Sequence, residues 1–398
     1  MNQLSDVDLL ARLVACETAR PNGNLAAVDL LADYLDRPGV RLERLAGPDD
    51  SRANLLVEVG PSPPGDRSGL LLCGHTDVVP AGEPEWETDP FVLTERRGAL
   101  YGRGTADMKG FVALAANLVR ELGAETLRRP LVLLFTYDEE VGTLGARRFA
   151  ETWTDRGRLP RLAIIGEPTR LEVVRAHKGI VELRVALAGT AAHSGYPHLG
   201  ESAIEPAARV VTALAELRGA LEGERVEASA SFPQVPFVSL NVGTIRGGAA
   251  PNIVPDRCVA EITLRPLPGV PSGPLIERVR QVVARAAGPA RWSLEVVSES
   301  PPMLTPPKSP LLGALEALTG QPEASTVSYA TDAGWLQTLD LDCAIFGPGD
   351  IATAHRPNEF VPVVDLVRAR AVLERTIGRF CHAPTGPESG AVGQVGAT

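Results

Sequence analysis

The chain is poor in lysine, has no paired-cysteine motif and lacks any long apolar run, and each scarcity removes a class of function. Lysine occurs only at 109, 178 and 308, against 36 arginines, and the formal charge is −10. No basic stripe is present, so nucleic acid is not an expected partner. No run of about 18 apolar residues occurs, so no membrane span is expected. The opening stretch MNQLSDVDLLARLV is acidic and amphipathic rather than basic and then apolar, which points to a cytoplasmic location. The cysteines at 16, 73, 258, 343 and 381 form no CxxC pair and are odd in number. Most sit in apolar runs, so buried free thiols are expected rather than a disulfide framework.

What is present is a long, apolar chain. At 398 residues and 44% apolar content it exceeds one ordinary core, which makes two domains the expectation. Helical apolar spacing runs over 4–19 and 25–36. Strand-like and helix-like segments then alternate, with strands at 53–59, 69–74, 131–137 and 162–166 and helices at 108–122 and 143–152. This is the rhythm of a largely parallel sheet covered by helices. From about 179 the texture changes. A strand at 180–189, a helix at 202–218, strands at 236–245 and 256–265, a helix at 272–287 and a strand at 291–297 read as a β-α-β-β-α-β sandwich. After the Pro-rich SESPPMLTPPKSP, a helix at 311–318, a strand at 342–346 and a helix at 364–381 resume the first texture. The expected fold class is therefore α/β, with residues 1–178 and 295–382 forming one domain and 179–294 inserted into it. The Gly/Pro/Ser/Ala-rich tail, 383–398, is expected to be disordered.

Several apolar runs end on metal-binding residue types. GLLLCGHTD (69–77) ends on His75 and Asp77, LVLLFTYDEE (131–140) on Asp138, Glu139 and Glu140, and RLAIIGEPT (161–169) carries Glu167. In open α/β sheets, ligands sit at that edge. On an extended segment residues i and i+2 share a face, so Asp77 is placed to bind the far nitrogen of His75 and fix its tautomer. Asp107 in GRGTADMKG precedes an apolar helix and reads either as an N-cap or as a carboxylate shared by two metals. Adjacent acids after a buried strand repel unless the turn is solvated or a cation compensates. If metals are near, one glutamate can bind while its neighbour stays free as a general base. His355 in TAHRPNE completes a plausible shell, and mixed imidazole and carboxylate ligands suit zinc, with cobalt or manganese as alternatives. In the inserted segment His193 and Tyr196 lie in TAAHSGYPH, Asn252 in PNIVPD and Arg265 in ITLRPLPG, where Arg suits a carboxylate. His177, His198 and His382 have no companion pattern and are read as structural.

The runs GHTDVVPAG, LYGRGTADMKGF, FTYDEEVGTLGAR, GEPT, HKGIVELRV, GTAAHSGYPHLGESAIEPA and GPGDIATAHRPNEF resemble, in order, the aminoacylase/carboxypeptidase family of dinuclear zinc amidohydrolases. The resemblance implies one zinc held by His75, Asp107 and Glu167 and another by Asp107, Glu140 and His355, with Asp107 bridging. It implies Glu139 as general base, Asp77 as the residue orienting the ligands, and a cis peptide after Asp107. His193 would reach the active site of a second subunit of a homodimer built through the inserted domain. Asn252, Arg265 and Tyr196 would contact substrate. Within the family, GEPT and GPGDIATAHRPNEF look most like the acetylornithine deacetylases. The implied reaction is hydrolysis of the amide of a small N-acyl amino acid. Succinyl-diaminopimelate desuccinylase, another N-acyl amino acid deacylase, and a metallo-exopeptidase or dipeptidase remain as alternatives. Asp350 stands where many acetylornithine deacetylases have a small polar residue, and an extra carboxylate there would suit either a cationic substrate side chain or a different N-acyl amino acid.

Overall fold

A computed structural model describes residues 2–382 apart from Pro64. The expected disordered tail, 383–398, lies outside the described residues. The apolar runs become the inner strands of a nine-stranded sheet. Leu70–His75 lies between Leu131–Thr136 and Leu162–Ile165, and Asp342–Ile345 follows; these four run parallel. Their side chains are almost all buried on both faces, which is why they read as continuous rather than alternating apolar runs. Antiparallel strands extend the sheet at both sides, Val40–Ala46 and Ala53–Val59 at one and Val174–His177 with Met303–Leu304 at the other.

Helices cover both faces. Asp6–Ala15, Leu25–Leu35, Gly110–Glu121, Pro310–Thr319 and Val363–Cys381 pack with Leu72, Leu133 and Phe135 into one core. Leu144–Thr152 and Ala333–Gln337 pack with Leu71, Cys73 and Val132 into another. The first helix starts at Asp6 because Ser5 Oγ accepts the Asp8 N–H at 3.1 Å and Asp6 and Asp8 sit in its first turn. It buries Leu9, Leu10, Leu13 and Val14. All five cysteines are free, and all but the half-buried Cys16 are buried.

Residues 180–300 form their own four-stranded antiparallel sheet, ordered 239–247, 257–265, 180–188, 291–300, with helices Ile204–Gly223 and Ser272–Ala287 on one face. Val181, Leu183, Val185, Leu214, Ile262 and Val279 form a core separate from those of the larger sheet. The last strand, expected at 291–297, continues to Ser300, past residue 295 where the larger domain was expected to resume. Ile180–Ala188 supplies its pairing partners throughout, Ser300 lying opposite Ile180, so the ladder holds it in the smaller sheet. At the joint, Lys178 Nζ donates to the carbonyls of Val235 and Phe237 at 2.7 and 2.8 Å. Burial, with Arg265 nearby, lowers its pKa to about 8. This lysine ties the joint to residues 235 and 237 and is absent from the cleft described below. No helix is long and apolar enough to cross a membrane among the described residues.

Candidate active site

Because the inner strands are parallel, their C-terminal ends meet at one edge, and the acids and histidines that end them converge. His75 is the last residue of its strand, Glu139 and Glu140 follow the second, and Glu167 follows the third. Gly166 is required there: a Cβ would lie 2.0 Å from the Phe111 ring, which packs beneath the turn carrying Glu167. Asp107 comes from the turn before helix Gly110–Glu121. That turn needs Gly104 at φ +80, where a Cβ would lie 2.6 Å from Val78. The peptide Asp107–Met108 is cis.

Asp107 is the centre of the cluster. Its Oδ1 lies 2.9 Å from His75 Nε2 and its Oδ2 3.2 Å from His355 Nε2, so one oxygen faces each histidine. His355 Nε2 also lies 2.9 Å from Glu140 Oε2. His75, Asp107 and Glu167 form one trio whose ligand atoms fall within 4.8 Å of one another; Asp107, Glu140 and His355 form a second. Metal–ligand bonds of about 2.0–2.2 Å in a tetrahedral shell put ligand atoms roughly 3.3–3.6 Å apart, so the trios fit two such ions. The first trio is wholly buried, whereas His355 is 48% exposed and opens the second to solvent.

The charge balance supports cations. Asp77, Asp107, Glu139, Glu140, Glu167 and Asp332 cluster around only two imidazoles, an excess of negative charge that burial makes costly. Burial and the neighbouring Glu167 push Glu139 well above the usual carboxylate range. Burial and Asp107 do the same to Glu167 and raise Glu140 to about 7. Burial would raise Asp107 too, but the bonds from His355 and His75 hold it below the usual range. The same bonds to Asp107 and Glu140 lift His355 to about 10.

Asp77 does not perform the contact expected of it. His75 Nδ1 donates to the Asp77 backbone carbonyl at 3.0 Å, while the carboxylate stands 3.7 Å away. The strand ends at His75, so the alternation that would have aimed Asp77 at the ring no longer applies. The carboxylate instead accepts the N–H groups of Glu139 and Glu140, both at 3.1 Å. It thereby orients the two glutamates, and the Nδ1 bond still leaves Nε2 facing Asp107.

A cleft of about 240 Å³ opens over the cluster, lined by Asp107, Glu139, Glu140, Glu167 and His355 from the larger sheet. Arg265, Glu182 and Ser298 line it from the smaller sheet. Of the inserted-domain residues singled out in the sequence, Arg265 alone is in this wall. His193 and Tyr196 are exposed on one loop and Asn252 on another, the two braced together by the pairing of Ala192–His193 with Ile253–Val254. Gly195 N–H donates to His193 Nδ1 at 3.0 Å, which assigns the proton of a neutral ring to Nε2.

The family signature spans this architecture. Residues 71–379 match peptidase family M20/M25/M40. The chain belongs to that family. It is 37% identical over 375 residues to an acetylornithine deacetylase of Proteus mirabilis (strain HI4320), covering 93% of each chain. It is 39% identical to one of Myxococcus xanthus, covering 94% of this chain and 96% of the relative. Its fold resembles that of an M20 family metallo-carboxypeptidase from Sulfolobus solfataricus, with TM-score 0.76 and 17% identity over 95% of this chain and 99% of that one. A Bacillus subtilis protein described as a dinuclear metal binding peptidase of the M20 family superposes with TM-score 0.60 at 13% identity, over 94% of this chain and 98% of that one.

This M20 chain also places polar residues around the two trios. Glu359 Oε1 accepts the N–H groups of Ala106 and Asp107 at 3.0 and 3.1 Å, and its Oε2 receives Arg103 Nη1 at 2.9 Å. The pair locks the turn that presents Asp107, and the signal was within reach in the NEF that follows His355. Asp138, the first acid of the DEE run, instead binds Arg52 Nε at 2.8 Å and Arg20 Nη2 at 2.6 Å. Asp332 accepts Thr136 Oγ1 at 2.6 Å behind the ligands, and burial raises it to about 6. Lys109 is buried and donates to the Cys16 carbonyl at 2.8 Å, a tie between helices. His177 is buried against the Lys178 carbonyl at 2.8 Å, His198 lies on the His193 loop, and His382 is partly buried.

Proposed function

We propose that this M20 family hydrolase cleaves the amide of N2-acetyl-L-ornithine to L-ornithine and acetate, a step of arginine biosynthesis, using two zinc ions. The observation that carries the metal chemistry is the pair of ligand trios sharing Asp107, with Glu139 in the same cleft wall. The substrate reading rests on the acetylornithine deacetylase relatives and their near-complete coverage of the chain. Residues 1–178 and 301–382 form the metal-binding body and 179–300 the lid, whose last strand runs to Ser300.

His75, Asp107 and Glu167 would hold one ion and Asp107, Glu140 and His355 the other. Bound there, the ions would polarise the acyl carbonyl and make water more acidic. Glu139 accepts the proton of the attacking water and passes it to the departing amine. Asp77 fixes its backbone N–H, and its carboxylate has no hydrogen-bond partner among the described residues. Arg265 grips the α-carboxylate in a bidentate fork. His193 is presented by a second copy of the chain and donates from Nε2 to the developing oxyanion. Tyr196, on the same exposed loop, and Asn252, on the loop paired with it, reach that neighbouring cleft as well.

Purified protein loaded with zinc should release acetate from N2-acetyl-L-ornithine faster than it releases an amino acid from dipeptides. Preference for dipeptides would replace this reading with an exopeptidase. Faster cleavage of N-succinyl-diaminopimelate would replace it with a desuccinylase.

A further inference from the structure

Beyond the metal trios and Glu139, two charged groups line the cleft among the described residues, Arg265 and Glu182. Both stand on the lid sheet. Along Ile180–Ala188 burial alternates, with Val181 and Leu183 in the lid core, so Glu182 points from the opposite face. It pairs across the ladder with Thr263, two residues before Arg265. Glu182 and Arg265 are therefore diagonal neighbours on one face, about 7–8 Å apart at the backbone. The two side chains are near enough for Glu182 to act on the Arg265 charge, yet they form no ion pair with each other among the described residues.

Ser298 Oγ donates to Glu182 Oε2 at 2.7 Å and holds the carboxylate, while its Oε1 has no hydrogen-bond partner among the described residues. Burial lowers the pKa of Arg265 despite the opposing influence of Glu182, and its guanidinium has no hydrogen bond or ion pair among the described residues. Two opposite charges, oriented but unsatisfied in a partly desolvated wall, are complementary to a ligand carrying one charge of each sign. Asp350, the carboxylate that the sequence offered for this task, is placed elsewhere. It accepts the Ala352 N–H at 2.9 Å, lies 4.0 Å from Arg170, and does not line the cleft.

We propose that Glu182 selects the substrate side chain, pairing with a cationic group at its end while Arg265 holds the α-carboxylate. This rests on the N-acyl amino acid reading above and names the substrate class as N-acyl diamino acids, whose ammonium and carboxylate lie at opposite ends of a short methylene chain. A site built to pair a charged group rejects the analogue that lacks it, because the carboxylate is then left without a partner.

The test compares kcat/KM for N2-acetyl-L-ornithine and for N-acetyl-L-norvaline, its neutral analogue, in the zinc-loaded wild type, Glu182→Gln and Glu182→Asp. The wild type should prefer the ornithine derivative, and the ratio should fall by about tenfold or more in Glu182→Gln, mainly through KM. Glu182→Asp, which keeps the charge, should recover part of it. A wild-type preference that survives intact in Glu182→Gln overturns the Glu182 assignment and leaves the deacetylase reading standing. Equal loss on both substrates overturns it too, by showing that Glu182 only shapes the wall. A wild type that prefers the norvaline derivative overturns both.

Discussion

The two sheets serve the cleft in different ways. The larger sheet delivers its reactive groups at the ends of parallel strands, so Asp107 can touch both His75 and His355, at 2.9 and 3.2 Å, within a single chain. The smaller sheet delivers Glu182 and Arg265 from near the start of one strand and the end of its neighbour, while His193, Asn252 and Tyr196 stand on loops away from this chain's cleft. A strand end fixes a side chain by covalent geometry and by burial on both faces. A sheet face fixes only which side a residue points to, and what it meets depends on how the sheet is docked. The difference teaches that both candidate ligand trios are complete in one chain, while the lid's contribution depends on its placement and, in the mechanism proposed above, on a second copy.

The largest expected effect tests the first half of that contrast. Glu139→Gln should lower kcat by about 10²–10⁴ while zinc content by elemental analysis stays at wild type. Activity near wild type would remove Glu139 as the base. His193→Ala comes next, with a loss of about 10²–10³. Mixing refolded Glu139→Gln and His193→Ala chains should then restore activity to about a quarter of wild type, because half the dimers carry one intact site. No recovery on mixing, or full activity in a strictly monomeric species by sedimentation, would place His193 in its own chain's site or outside catalysis.

Metal removal should expose the charge imbalance in the larger domain. Without cations Glu140 is raised to about 7 from its ordinary value of 4.5, so between those values the folded chain binds a proton that the unfolded chain does not. Stability of the stripped protein should therefore fall as pH rises from 4.5 to 7, by on the order of 3 kcal/mol, and zinc should abolish that slope. Thermal unfolding across that range with and without chelator measures it; identical slopes would argue against cations in the cluster. The smallest effect belongs to the joint. Burial lowers His177 to about 4 from its ordinary 6.5, so the unfolded chain protonates first. Its contribution is complete above 6.5 and is lost as pH falls toward 4, about 1–3 kcal/mol that His177→Phe should remove from the acid limb of a stability–pH profile. An unchanged limb would show that the ring is more hydrated than its burial implies.

Much of the larger sheet was legible because buried parallel strands are continuous apolar runs, and acids at their ends are conspicuous. Leu131–Thr136 followed by Asp138, Glu139 and Glu140 shows this. The separation of those three acids was not legible. Asp138 turns back to Arg20 and Arg52, over 80 residues away in sequence, and no local pattern encodes that partner. Asp77 was misaimed for a local reason, since the i, i+2 rule holds only while the strand continues. Glu182 was invisible, because an alternating strand such as Ile180–Ala188 presents Glu182 and Arg184 as equivalent polar residues.

The sequence by itself determined which residues end the buried strands, since hydrophobic burial dictates where a strand can stop and polar groups begin. It thus determined the ligand types, and family membership followed from them. Only the tertiary structure decided which acids face one another, that Asp77 holds two backbone amides rather than an imidazole, and that Glu182 rather than Asp350 lines the cleft. Those outcomes depend on distances between strands far apart in the chain, and on the docking of one sheet over the edge of another.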